Sequence, residues 1–166
     1  MKTSKLFFLL ISVVFFFSAC STPPERIIKY KTSNNCKIEF EENKFGEAKL
    51  VSNEYSKKEG CFLAVFDKDI KEIGDKALSY MNRLKSIVIP NSVTYIGNAA
   101  FACCDNLTSI KIPNSVKSIG EGVFELCFNL TSVEFPNNLT SIGEGIFIGC
   151  SRLKWITIDG EKYFIE

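Results

Sequence analysis

The chain has no histidine among its 166 residues. That removes the usual general base for a serine or cysteine nucleophile and the commonest metal-ligating side chain. Charge of neither sign is in excess: 20 Lys and Arg stand against 19 Asp and Glu. Without a basic surplus to release counterions from a phosphate backbone, nucleic acid is not an expected partner. A run long and apolar enough to span a bilayer comfortably is also missing. The longest, Leu6 to Phe17, is broken by Ser12 and falls short of the roughly 20 residues a spanning helix needs. These absences point away from an enzyme and from any metal or cofactor.

What is present is repetition. A 23-residue unit is written three times, as LKSIVIPNSVTYIGNAAFACCDN (84–106), LTSIKIPNSVKSIGEGVFELCFN (107–129) and LTSVEFPNNLTSIGEGIFIGCSR (130–152). A degraded copy occupies 61–83 and keeps Ile70, Ile73, Gly74, Ala77 and Leu78, while LKWITI (153–158) begins a further one. A fixed period of this length is the mark of a solenoid. Within a unit, Leu107, Ile110 and Ile112 read as a short half-buried strand, which Pro113 ends because it has no N–H to give. Val116 and Ile119 follow, then Gly120, which recurs as Gly74, Gly97 and Gly143. That glycine implies either a positive φ or a place too tight for a Cβ. A helical-looking turn then carries Val123 and Phe124, and the unit closes on Cys127. One coil has no opposite layer of its own, so its apolar rims are buried only by stacking.

The pattern LxxIxIPxxVxxIGxxAFxxCxxL resembles the BspA-type leucine-rich repeat, a family of bacterial and protist surface proteins. The resemblance implies a leucine-rich-repeat solenoid: a short right-handed α/β-type coil array with a short-stranded parallel sheet and little regular helix, spanning 61–158. It also implies a cell-surface interaction module, associated in the family with adhesion to host or neighbouring-cell proteins. The competing reading is a structural envelope component that docks another envelope protein and has no external ligand.

The flanks complete the expected organisation. Residues 1–19 read as an export signal, with Lys2 and Lys5 before the apolar stretch. Phe17-Ser18-Ala19-Cys20 resembles a lipobox, which implies acylation at Cys20 and attachment to a membrane of the bacterial envelope, at the outer membrane or cell surface. An ordinary cleaved signal with Cys20 incidental is the alternative. Residues 20–35, with Thr22-Pro23-Pro24 and Thr32-Ser33-Asn34-Asn35, read as a tether; Ile27, Ile28 and Tyr30 leave an extra strand open. Residues 36–60 are expected to form an N-terminal cap, a hairpin of Cys36 to Phe40 with Ala48 to Val51. Residues 159–166 are expected to cap the other end, because Asp159-Gly160 between alternating runs signals a hairpin.

Cysteine is the residue type most suggestive of chemistry. Cys104, Cys127 and Cys150 recur at one place in successive units, so they are expected as a buried column of small apolar side chains whose ends lie about 10 Å apart, too far for one metal. Cys36 and Cys61, both near the cap of an exported chain, are the pair expected to form a disulfide. Asp67, Asp69 and Glu72 form a small acidic cluster that reads as a solvated face. The sequons at Asn106, Asn129 and Asn138 are read as structural. What remains for binding is the concave face, expected to hold one strand from each of the five coils, with Ser86, Val88, Ser109, Lys111, Ser132, Glu134, Trp155 and Thr157. Trp155 is either an interface anchor or a packing residue of the terminal cap.

Overall fold

In the computed structural model, residues 25–165 are described. The export signal, Cys20 and the first part of the expected tether lie outside them. The chain winds as a β-solenoid of about four turns, and no residue between 25 and 165 is helical.

Each coil contributes one strand to each of two faces. On the narrower face, β4 (Glu72–Ile73), β6 (Tyr95–Ile96), β8 (Ser118–Ile119) and β10 (Ser141–Ile142) pair in parallel, each residue with its equivalent in the next repeat. On the broader face, β7 (Ser109–Lys111), β9 (Ser132–Phe135) and β11 (Trp155–Ile158) do the same, and β12 (Glu161–Phe164) turns back antiparallel on β11. Between the faces lie Leu107, Ile110, Ile112, Val116, Ile119, Val123, Phe124 and Cys127 and their equivalents one coil away, all buried in the inner coils. The rings of Phe101, Phe124 and Phe147 stack through this core at centroid spacings of 5.7 and 5.9 Å.

The recurring glycine is the crowded kind rather than the left-handed kind. None of Gly74, Gly97, Gly120 and Gly143 has a positive φ, but a Cβ on Gly120 would sit 2.6 Å from the Asn98 backbone nitrogen and 2.8 Å from the Gly97 carbonyl carbon. Left-handed backbone occurs elsewhere, twice per coil, at Lys76 and Tyr80, Ala99 and Cys103, Gly122 and Leu126, Gly145 and Gly149. Two such residues four apart break the αR run that a helix requires, so the segment expected to be helical is a chain of turns. Its N–H groups are used between coils instead, as in Phe101 N–H to Val123 O at 3.0 Å and Cys103 N–H to Glu125 O at 2.8 Å.

The N-terminal region departs most from expectation. Within the expected tether, Ile27–Thr32 forms the extra strand that Ile27, Ile28 and Tyr30 leave open, β1, inserted antiparallel between β3 (Cys61–Phe66) and β5 (Leu84–Val88) rather than added to a cap. Its inward residues Ile28, Tyr30 and Thr32 are buried, while Lys29 and Lys31 face out. The first coil is thereby held two strand spacings from the second on the broad face, yet β4 and β6 stay adjacent on the narrow one. The hairpin partner of β3 is β2 (Leu50–Ser56), not Cys36 to Phe40 with Ala48 to Val51. Residues 36–49 are irregular and cover the first coil with Ile38, Phe45 and Ala48. They are fixed by a buried network in which Tyr30 Oη donates to Asn53 Oδ1 (2.7 Å), Ile38 N–H donates to Tyr30 Oη (3.2 Å) and Asn53 Nδ2 donates to Ile38 O (2.7 Å). At the other end the Asp159-Gly160 hairpin forms, but all four β12 residues are exposed, so it extends the broad face without covering the core.

Candidate functional site

The outward side of the broad face is built by alternation: a strand residue whose neighbours point into the core points to solvent. Register then aligns these residues into columns. Ser109, Ser132 and Trp155 lie side by side, as do Lys111, Glu134 and Thr157. Val88, Ser109, Lys111 and Glu134 are exposed, whereas Ser86, Ser132, Trp155 and Thr157 are half-buried.

The structure adds residues that repeat arithmetic did not reach. Through β1, Lys29 stands opposite Val88 and Lys31 opposite Ser86; through β12, Lys162 continues the Lys111 column and Phe164 continues the serine column. The face therefore runs over eight strands, in two four-stranded sheets that adjoin at β5 and β7, where five strands were expected. The alternation Ile-Lys-Tyr-Lys at 28–31 was the available signal. Trp155 packs under the Lys162 ammonium, 5.0 Å from ring centroid to Nζ. Lys111 pairs with Glu134, and Lys29 with Glu59 at 3.0 Å.

The cysteine column is present as a ladder of thiols. Cys104 Sγ donates to Leu78 O (3.1 Å), Cys127 Sγ to Phe101 O (3.1 Å) and Cys150 Sγ to Phe124 O (2.9 Å). Desolvation raises all three thiol pKa values, and pushes that of Cys127 up to about 12. A sulfur held as thiol is neither nucleophile nor metal ligand at neutral pH. Because the folded-state value of Cys127 lies above the ordinary 9.0, its contribution to stability is complete below about pH 9 and is lost as pH rises toward 12. Chemical denaturation at pH 7 and pH 10.5 should show a larger loss of stability for the native chain than for Cys127→Ala. Equal losses would mean that Cys127 is not held as the thiol.

Cys36 and Cys61 do not form the expected disulfide and are both free, the first exposed and the second buried at the start of β3. Cys36 is held instead beside β1, where Thr32 Oγ1 donates to its carbonyl (2.9 Å). The acidic cluster is dispersed. Asp67 Oδ1 accepts from Lys49 N–H, Asp69 pairs with Lys71, and Asp69 and Glu72 border an open hollow with Glu47, Lys68 and Lys71. The sequon amides are engaged between coils: Asn129 Nδ2 donates to Asp105 O (2.7 Å), Asn138 Nδ2 to Asn114 O (3.0 Å), and Asn106 Nδ2 to Asn82 O.

Comparison with known proteins places this architecture. Residues 52–166 match the model of the BspA type leucine rich repeat region, in six copies. A leucine-rich repeat protein of Bacteroides ovatus superposes with a TM-score of 0.51 at 33% identity, over 53% of this chain and 23% of its own. The chain thus spans about a quarter of that protein's length. A leucine-rich repeat protein of Bacteroides capillosus superposes with a TM-score of 0.52 at 23% identity, over 67% of this chain and 75% of its own, and shares the fold. No curated protein matches.

Proposed function

Since the chain belongs to the BspA-type leucine-rich-repeat family, we propose that it is a membrane-anchored lipoprotein of the bacterial cell surface, and that it offers the outer side of its broad sheet to a protein ligand on a host, matrix or neighbouring cell. The observation that carries this reading is the eight-strand face itself. Its strands are held in register by the pairing along each sheet, and it carries the aromatic Trp155 and the four lysines Lys29, Lys31, Lys111 and Lys162. The export signal and the lipobox-like Phe17 to Cys20 support the location.

Size sets the expected affinity. Eight strands at ~4.8 Å by ~13 Å give about 500 Å², less than the ~800 Å² each partner contributes to a stable interface. A single face binds weakly, and many tethered copies on one membrane supply avidity. Trp155 is the expected centre of binding energy, since truncating a tryptophan hot spot costs about 2 kcal/mol or more.

The test uses the full chain displayed on its native cells against immobilised extracellular-matrix proteins, host cells and neighbouring bacteria, compared with cells lacking the protein. Binding is expected, with Trp155→Ala reducing it about 30-fold and leaving the thermal midpoint within a few degrees. Absence of binding above background, together with resistance to protease shaving of live cells, would sink the reading. It would favour an envelope component that faces inward.

A further inference from the structure

Glu25 is pinned where the chain enters the broad sheet. Its carbonyl accepts from Ile70 N–H at 3.0 Å and lies 2.7 Å from the buried Ser92 hydroxyl, which fixes it between the first and second coils. One residue on, Arg26 O accepts from Phe66 N–H at 2.9 Å and β1 begins. This entry point lies at the edge where the broad strands give way to the turns 67–71, 90–94, 113–117 and 136–140, three of which open on Pro90, Pro113 and Pro136. From there β1 crosses to the opposite edge, where Ser33 N–H donates to Arg83 O at 2.8 Å.

The chain leading to Glu25 is short. Five Cα steps separate it from Cys20, a span of at most about 18 Å even when fully extended. The opposite edge lies further off than that, because Arg26 to Ser33 is seven strand steps, about 23 Å. So does the far end of the sheet: β5, β7, β9, β11 and β12 lie beyond β1, about 24 Å at one strand spacing each. A lipid on Cys20 therefore lets neither of them rest on the leaflet that holds it. Only the proline edge, with the N-terminal shoulder of β3 and β2 some 10 Å from β1, stays within reach.

We propose, on the premise of a lipid at Cys20, that the proline edge is a membrane-facing surface, laid against the headgroup layer of the anchoring leaflet with the broad face standing side-on to it. The chemistry of the edge fits a headgroup layer. Each proline is followed by an exposed asparagine, Asn91, Asn114 and Asn137, whose amides give and accept hydrogen bonds. Its charges nearly cancel, with Lys68, Lys71 and Lys117 against Asp67 and Asp69, so the contact suits zwitterionic phospholipid and needs no anionic one. No large apolar side chain is exposed in these four turns, so the edge rests on the headgroups without inserting. A ligand of the broad face then approaches along the membrane rather than from above it.

The full acylated chain in phosphatidylcholine nanodiscs containing a headgroup spin-labelled lipid tests this by paramagnetic broadening of amide signals. Mass spectrometry of the N-terminal peptide first establishes whether Cys20 carries lipid. Broadening at Asn91, Asn114 and Lys117 is expected to exceed that at Asn106 and Asn129 at least threefold, since the edges lie about 23 Å apart. About 15 Gly and Ser residues inserted after Pro24, which add roughly 20 Å of reach, should bring that ratio close to one. An unmodified Cys20 would remove the lipid anchor itself, and the membrane-facing edge with it. A lipid on Cys20 with equal broadening at both edges, or with the strongest at β12, leaves the anchor standing and overturns the proposal. So does a ratio that the longer tether does not change, because the contact would then owe nothing to the short span.

Discussion

Gly120→Ala should destabilise the protein by about 3–5 kcal/mol, at or beyond the upper end of what overpacking costs, and lower its thermal midpoint by roughly 10 °C or more. The added methyl would lie 2.4 Å from Asn98 Oδ1, 2.6 Å from Asn98 N and 2.8 Å from Gly97 C. Two of those three atoms are backbone of the preceding coil, so no rotamer change relieves the contact. The Asn98 side chain is also committed, since its Oδ1 accepts from Glu121 N–H at 2.8 Å. Relief requires the third coil to move away from the second. That motion strains the Gly120 N–H to Ile96 O bond, 2.8 Å long, and the parallel β6–β8 pairing beside it.

Gly60→Ala separates crowding from backbone preference. Gly60 has a φ of +63° and nothing within 4 Å of where a Cβ would stand, so its cost is only the left-handed penalty of about 1–2 kcal/mol. Equilibrium denaturation of both variants decides the matter. If Gly120→Ala costs no more than Gly60→Ala, the coils are not in the close backbone contact that the stack demands.

The same contrast shows what repetition discloses. Features that recur once per coil were readable in position, because each coil makes the same demand as its neighbour: the parallel registers of β6, β8 and β10, the buried Leu, Ile, Val and Phe positions, the thiol ladder and the recurring glycine all sit where the period puts them, and only the structure decides that the glycine answers crowding rather than a positive φ. The positions of the left-handed residues were periodic too, but their identities were not. Lys76, Tyr80, Ala99, Cys103 and Leu126 occupy them beside three glycines, so residue type gave no warning that the turn segment would not be helical. Features that occur once were harder. β1 carries a period-two pattern in Ile28, Lys29, Tyr30 and Lys31, yet Lys29 pairs with Leu63 on one side and with Val88 on the other, and no local rule names a strand's partner so far along the chain. The outer side of the broad face was accordingly legible in its middle and not at its edges, where Lys29, Lys31, Lys162 and Phe164 extend it.

Phe124→Ala should cost about 3–5 kcal/mol, the range for deleting a buried phenyl ring where the surroundings collapse only partly. Phe124 is fully buried, and its ring stacks 5.7 Å from that of Phe101 and 5.9 Å from that of Phe147, at interplanar angles of 19° and 16°. Its removal forfeits two ring contacts besides the transfer term. It also opens a void between coils whose backbones are tied by Phe101 N–H to Val123 O and Phe124 N–H to Ile146 O, so the coils cannot close to fill it. Phe147→Ala removes a side chain that is already part-solvated and that stacks on one neighbouring coil only, through Phe124, its other ring contact being edge-on with Phe135 of its own coil at 6.1 Å, so its loss should be smaller. The ordering is the informative quantity, because solenoid stability is a sum of coil terms and nearest-neighbour interfaces: an inner phenylalanine serves two interfaces, the terminal one serves one. Urea denaturation of the two variants should give the larger loss to Phe124→Ala. Equal losses would mean that the fourth coil is as well covered as the third, against the exposure of Ile142.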